Sequence, residues 1–122
     1  MQLHINFCID ELKLQNKSAT ACQLRCHYKV NQDGKRERAG ESGYFPVEQS
    51  KTLDLNSLQE LLDLEKQGKE VWVTAQADIK AAGDEECGLW FRFKSNSNAQ
   101  AYFKVIGTSG LTDLGLFEFQ QK

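Results

Sequence analysis

The chain has 122 residues, of which 40% are hydrophobic and 26% are charged, and its formal net charge is −2. This length suits one folded domain over residues 1–122, and the composition excludes a disordered or low-complexity chain. Fifteen Lys and Arg against seventeen Asp and Glu leave no global basic field, so nucleic acid is not expected as a partner.

The first half of the chain alternates apolar and polar residues with a period of two, which predicts strands. Residues 2–9 form the first predicted strand, and residues 20–31 form the second, with Cys22, Leu24 and Cys26 facing inward. Asp33-Gly34 then predicts a hairpin turn. Residues 35–43 are too charged and glycine-rich for a central strand, so they form either a charged edge or a loop.

One segment changes to a helical period. Leu58, Leu61 and Leu62 recur at helical spacing, Ser57 and Glu60 fit a capping box, and Gly68 stands where a left-handed residue ends a helix. The sequence therefore predicts one short α-helix near residues 57–67. Strands return over residues 70–79 and 114–120, with a turn predicted over residues 108–113.

Residues 87–107 read as two strands around a polar turn, Ser95 to Asn98, and predict a central hairpin. An odd loop length would place Phe91 and Phe93 across from small alanines of the second strand. The last strand is predicted to turn Phe117 and Phe119 inward. Together these patterns predict an all-β fold, an antiparallel β-sandwich of about seven to eight strands with one short α-helix.

Three patterns in the sequence bear on metal binding or catalysis. Cys22, Cys26 and His27 resemble zinc ligands, but four strand residues separate the two cysteines by on the order of 13 Å, and the histidine points away from them. The acidic run at residues 84–86 lacks the alternating oxygen pattern of a calcium site. No nucleophile or phosphate-loop motif is present, so no catalytic residue, metal or cofactor is predicted.

The strongest functional signal is an aromatic and basic face, because exposed tryptophan is uncommon. By strand parity its members share the polar side of the sheet: Trp72, Trp90, Arg92, Lys94, Tyr102 and Lys104. Such rings and cations suit a non-enzymatic binding module whose ligand is a carbohydrate or a protein. The alternative at the level of structure is that the helix or a long loop covers this face and buries the rings.

Two other functions are kept as alternatives. The same face suits a membrane-active or pore-forming β-sandwich toxin component with a membrane surface as partner, and a small hydrolase ranks third. No signal peptide is recognised, and the irregularly spaced cysteines are expected to be free thiols. A cytoplasmic location is therefore expected, with non-classical release for the toxin alternative, and the oligomeric state is not predicted.

Overall fold

A computed structural model describes residues 2–80, 82–108 and 111–122. Within these ranges the chain forms ten strands, one short 3₁₀ turn and one α-helix. The strands are β1 (Leu3–Ile9), β2 (Glu11–Lys17), β3 (Cys22–Val30), β4 (Glu37–Phe45), β5 (Ser50–Asp54), β6 (Val71–Ile79), β7 (Gly83–Glu86), β8 (Leu89–Phe93), β9 (Ala99–Thr108) and β10 (Leu111–Gln121); α1 spans Gln59–Lys66. The predicted all-β sandwich with one short helix is confirmed.

The strands form two sheets. The larger sheet has the order β1-β8-β6-β3-β4, with β7 also pairing with β6, and the smaller sheet has the order β10-β9-β2-β5. The pairs β1–β8 and β2–β9 are parallel, whereas the other pairs are antiparallel. The sheets are therefore mixed rather than purely antiparallel. The charged segment β4 lies at a sheet edge, which is the first of the two alternatives given for residues 35–43.

The inner faces of both sheets share one hydrophobic core. From the larger sheet Leu24 and Val73 are buried, and from the smaller sheet Leu12 and Phe103 are buried. Phe91 meets Phe103 across the sandwich edge to face, with ring centroids 6.4 Å apart. The period-2 pattern therefore identified the inner face of these strands correctly.

The chain crosses between the sheets five times, and two of these crossings run from β1 to β2 through Asp10 and from β8 to β9 through residues 94–98. The hairpin predicted over residues 87–107 is therefore wrong, because its two arms pair with different partners. The turn signal at Ser95 to Asn98 is real, with Asn96 and Asn98 both at φ of +57°. A turn fixes the chain direction locally, but it does not decide which sheet each strand joins.

The helix begins differently from its prediction. A 3₁₀ turn over Leu55–Ser57 precedes α1, and Ser57 Oγ donates to the Asp54 carbonyl at 2.6 Å, so the predicted capping box does not form. The helix end agrees with the prediction, since Gly68 has a φ of +76° and its N–H donates to the Glu65 carbonyl at 2.9 Å.

Strand β10 contains an irregularity that reverses one prediction. Its register with β9 shifts between Leu116 and Glu118, so one extra residue, Phe117, is accommodated there. Phe119 packs against Phe7 at 5.0 Å, whereas Phe117 faces outward and is 53% exposed. The prediction that Phe117 lies inward is therefore wrong. Of the turn predicted over residues 108–113, Ser109 and Gly110 lie outside the described residues.

Candidate functional site

The structure divides the predicted aromatic and basic face between the two sheets. Trp72 on β6 and Trp90 and Arg92 on β8 belong to the larger sheet, whereas Tyr102 and Lys104 on β9 belong to the smaller sheet. Lys94 is exposed in the connection between β8 and β9. These six residues therefore do not form one surface, because the prediction of a shared face rested on the hairpin.

Both tryptophans are buried, although strand parity places them on the outer face. Trp90 is 0% exposed and Trp72 is 2% exposed. Lys29 Nζ lies 4.2 Å from the ring centroid of Trp90, and Arg36 Cζ lies 4.8 Å from the same centroid. The expected exposure of the two rings is therefore wrong. Long basic side chains from β3 and from the β3–β4 connection contribute to the cover.

Trp72 is held in a similar way. Arg92 Cζ lies 5.5 Å from its ring centroid, and the His4 ring meets it edge to face at 4.9 Å and 78°. Lys29, Trp72 and Arg92 are register neighbours on three adjacent strands. We call Lys29, Arg36, Trp72, Trp90 and Arg92 the tryptophan cluster.

The open aromatic surface is on the smaller sheet. Tyr102 alternates with the buried residues of β9, so its side chain lies on the outer face, where its ring meets that of Phe117 at 5.2 Å and 71°. Each ring contacts a lysine ammonium group. Lys13 Nζ lies 4.6 Å from the Tyr102 centroid, and Lys104 Nζ lies 3.7 Å from the Phe117 centroid. We call these four residues, together with Ile106, the lysine–aromatic face.

A shallow depression lies within this face, beside Phe117 and Ile106. It is lined by Lys104, Ile106, Asp113, Gly115, Leu116 and Phe117. Gly115 pairs with Lys104, and no atom of the described residues, its two chain neighbours aside, lies within 4 Å of the position that a Cβ at residue 115 would take. Phe117 and Ile106 are 53% and 51% exposed. Exposed apolar side chains that lie together beside cations are a feature of recognition sites.

The two lysines of this face are free to meet a ligand. Within the described residues, neither Lys13 nor Lys104 has a carboxylate within ion-pair distance, whereas Lys17 contacts Glu48 at 2.6 Å. The Tyr102 hydroxyl donates to the Gln15 amide oxygen at 2.9 Å, which fixes its ring. The face therefore combines an ordered aromatic pair with unpaired positive charge.

Three residues of the face were missed from the sequence. Phe117 was assigned inward because nothing in the sequence marks the bulge in β10. Lys13 joins the face because β2 pairs in parallel with β9, which places it opposite Tyr102. Ile106 continues the outward parity of Tyr102 and Lys104, and this parity was the one signal that could have identified it.

The four cysteines are free thiols. Burial raises the pKa of Cys22 to about 12 and also raises those of Cys26 and Cys87, so these thiols stay protonated at neutral pH.

Over the described ranges, no group of three or more His, Cys, Asp or Glu side chains is arranged to hold a metal ion. No helix in that part of the chain has the length and apolarity needed to cross a bilayer. Neither a protein-family model, nor a curated protein, nor a solved structure matches this chain.

Proposed function

We propose that this chain is a non-enzymatic binding module whose lysine–aromatic face receives an acidic segment of a protein partner. The observation that carries the proposal is that each of the two rings contacts an ammonium group, and that neither ammonium group has a carboxylate of the described residues within ion-pair distance. Aromatic residues dominate binding energy at protein interfaces, and complementary charge guides the encounter.

The ammonium groups favour a protein over a carbohydrate. A sugar ring would have to stack on an aromatic face, and Lys104 Nζ already lies 3.7 Å from the centroid of Phe117. The carboxylates of an acidic peptide can pair with Lys13 and Lys104 while its apolar side chains contact Phe117 and Ile106, and its apolar part must then face Asp113, which also lines the depression. Charge-assisted hydrogen bonds at the two lysines would set the register of the peptide.

The four free thiols favour a reducing compartment for this module. Free thiols persist in reducing surroundings, and three of the four are buried. A cytoplasmic location is part of the proposal on this ground.

The test uses an array of synthetic peptides in which Glu or Asp alternates with Leu, Phe or Trp. Each peptide has a matched version in which Gln and Asn replace the acids. We expect the acidic versions to bind the wild-type chain, and we expect Lys104→Glu to weaken that binding by about tenfold or more, as for other close interfacial charge pairs. Lys69→Glu is the matched control, because Lys69 is an exposed lysine beside the end of the helix.

A second variant separates binding from folding. Gly115→Thr places atoms in the depression, where space is open and the backbone needs no left-handed conformation. It should preserve stability, since glycine weakens a strand, and it should still reduce peptide binding. Equal binding of the acidic and amide peptides contradicts the proposal. Binding instead to a glycan array or to phosphatidylserine vesicles, with the same loss in Lys104→Glu, would assign the face to a carbohydrate or a membrane.

A further inference from the structure

The tryptophan cluster on the larger sheet has more hydrogen-bond donors than acceptors. The Nε1 atoms of Trp72 and Trp90 and the Nε atom of Arg92 are buried, and none has a hydrogen-bond partner in the described part of the chain. Indole and guanidinium groups can only donate. Buried donors without partners are uncommon in folded proteins, and here three of them lie in one cluster.

Lys29 adds a buried positive charge to the same cluster. Its side chain is 2% exposed, and its ammonium donates to the Gln2 amide oxygen at 2.6 Å. No carboxylate of the described residues lies within ion-pair distance of it. Burial and then the charge of Arg36 lower the pKa of Lys29, which shows that its surroundings disfavour the cation. A negative group beside Lys29 would offset the free-energy cost of burying its positive charge.

The carboxylates nearest to the cluster neutralise it only partly. Glu86 lies 3.7 Å from Arg36 and Glu70 lies 3.8 Å from Arg92, and both distances are longer than a hydrogen bond. The side chains of Arg36 and Arg92 are 23% and 33% exposed, so solvent reaches part of each, although the Nε atom of Arg92 is buried. Three cations thus meet two loosely placed carboxylates, and the charge of Asp33, which lies beyond ion-pair distance, opposes the lowering of the Lys29 pKa only in part.

The arginines are placed to act together. Trp90 and Arg92 are two residues apart on one face of β8, so their Cα atoms are about 6.6 Å apart. Arg36 lies over Trp90, and Arg92 lies over Trp72. Arg36 comes from the irregular connection before β4, and its side chain is held by a 2.8 Å hydrogen bond to His27 Nδ1. Its guanidinium group is therefore fixed over Trp90 before any ligand binds.

We propose that the tryptophan cluster binds a tetrahedral oxyanion, a phosphate or sulfate group, through the guanidinium groups of Arg36 and Arg92, with Lys29 supplying the deeper charge. Guanidinium groups match the geometry of such oxyanions in a bidentate manner. An anion with several acceptor oxygens also satisfies donor-only groups, which a neutral ligand does less well. The site is separate from the lysine–aromatic face and does not depend on its function.

The test uses the two tryptophans, which are the only ones in the chain and both belong to the cluster. Emission is recorded while inorganic phosphate, inorganic sulfate or O-phosphoserine is added, and potassium chloride at matched ionic strength is the control. We expect a saturable change with the oxyanions and none with chloride. Tighter binding of O-phosphoserine than of inorganic phosphate would identify a phosphate ester as the source of the group.

The variants Arg36→Gln and Arg92→Gln should each weaken binding by about tenfold, the loss expected for one charge-assisted hydrogen bond. Lys104→Gln, on the other sheet, should leave it unchanged. Because Arg92 packs on Trp72, the melting temperature of the wild-type chain gives a second measurement, and it should rise with phosphate and level off. A response that never saturates, that chloride reproduces, or that Arg36→Gln leaves unchanged overturns the proposal.

Discussion

Asp10 and Ala99 bind each other through both backbone and side chain. The Asp10 N–H donates to the Ala99 carbonyl at 3.0 Å, and the Asp10 carboxylate accepts the Ala99 N–H at 3.1 Å. The same carboxylate accepts from the Asn98 N–H at 3.1 Å and from the Asn56 side-chain amide at 3.0 Å. Asp10 stands at the β1–β2 crossing between the sheets, and Ala99 stands where the β8–β9 crossing ends. One carboxylate therefore fixes both crossings.

The first prediction concerns this carboxylate. Asp10→Ala should lower the free energy of unfolding by about 3 kcal/mol, because it leaves several donors without an acceptor at a buried position. Burial alone would raise the pKa of Asp10, but the hydrogen bonds from Asn56, Asn98 and Ala99 and the charge of Lys122 lower it overall. Its stabilising effect is therefore present above the unfolded-state pKa, near 3.9, and is lost as the pH falls below it.

Urea unfolding at pH 7 and at pH 3 checks both statements. The difference between wild type and Asp10→Ala should shrink at the lower pH. Asp54→Ala is a suitable comparison, since Asp54 is exposed and its side chain accepts one hydrogen bond, from the Asn56 N–H at 3.0 Å. A loss no greater than that of Asp54→Ala would show that the carboxylate does not hold the crossings.

The strand pattern predicted which side of each strand faces the core, but it did not predict the partners. Phe91 and Phe103 were correctly placed inward, since alternation is a local property. After β8 the chain can either form a hairpin with β8 or cross to the other sheet. The outcome depends on contacts with Asp10 and Asn56, which lie 88 and 42 residues from Asn98 in the sequence. Such pairings leave no signal in the local sequence.

The second prediction concerns His27. Its Nδ1 accepts from Arg36, which can only donate, so the neutral ring carries its proton on Nε2. Burial and then the charge of Arg36 lower the pKa of His27 to about 4, with Arg38 acting in the same direction and Glu86 in the opposite one. The unfolded chain therefore binds a proton that the folded chain does not. Stability should fall by about 2 to 3 kcal/mol as the pH drops from about 6.5 to 4.

Unfolding free energies measured between pH 7.5 and pH 4 check this prediction. His27→Gln removes the titrating ring, so its stability should vary less with pH over this interval. His4→Gln is the comparison: burial and the charge of Lys29 also lower the pKa of His4, but His4 is less buried than His27, so its removal should change the pH dependence less. An identical slope in wild type and His27→Gln would show that His27 does not cause the acid sensitivity.

The third prediction concerns thiol reactivity. Cys8 is partly exposed, whereas Cys22, Cys26 and Cys87 are buried and their pKa values are raised. A thiol-specific colorimetric reagent at pH 8 should label one cysteine of the native chain quickly and the other three only when the chain opens. In Cys8→Ser the fast reaction should disappear. Rapid labelling of a second thiol would contradict the burial of the larger sheet.

Part of the candidate site could be predicted from the sequence. The outward parity of Tyr102 and Lys104 is correct, and so is the outward parity of Trp72 and Trp90. Parity does not report burial, because a long basic side chain such as Lys29 or Arg36 can cover an outer face. Phe117 joins the lysine–aromatic face through the bulge in β10, and Lys13 joins it through the parallel pairing of β2 with β9. Neither feature has a signature in the local sequence.

The fourth prediction concerns tryptophan emission. Because both rings are buried, native emission should be blue-shifted from that of the unfolded chain, and acrylamide should quench it weakly. Arg36→Gln should increase the quenching, since it removes one group that covers Trp90. Lys104→Gln should not change it. Strong quenching of the wild-type chain would show that the cluster is open to solvent.

The last prediction tests the assignment of the two faces of the smaller sheet. Phe103→Ala empties part of the core and should lower the free energy of unfolding by about 3 to 5 kcal/mol, as for other buried aromatic residues. Phe117→Ala removes a ring that is 53% exposed and touches Tyr102 and Lys104, so the loss should be about 1 kcal/mol or less. Urea unfolding of both variants gives the comparison. If Phe117→Ala were as damaging as Phe103→Ala, Phe117 would belong to the core, and the lysine–aromatic face would lose the ring on which its proposed function depends.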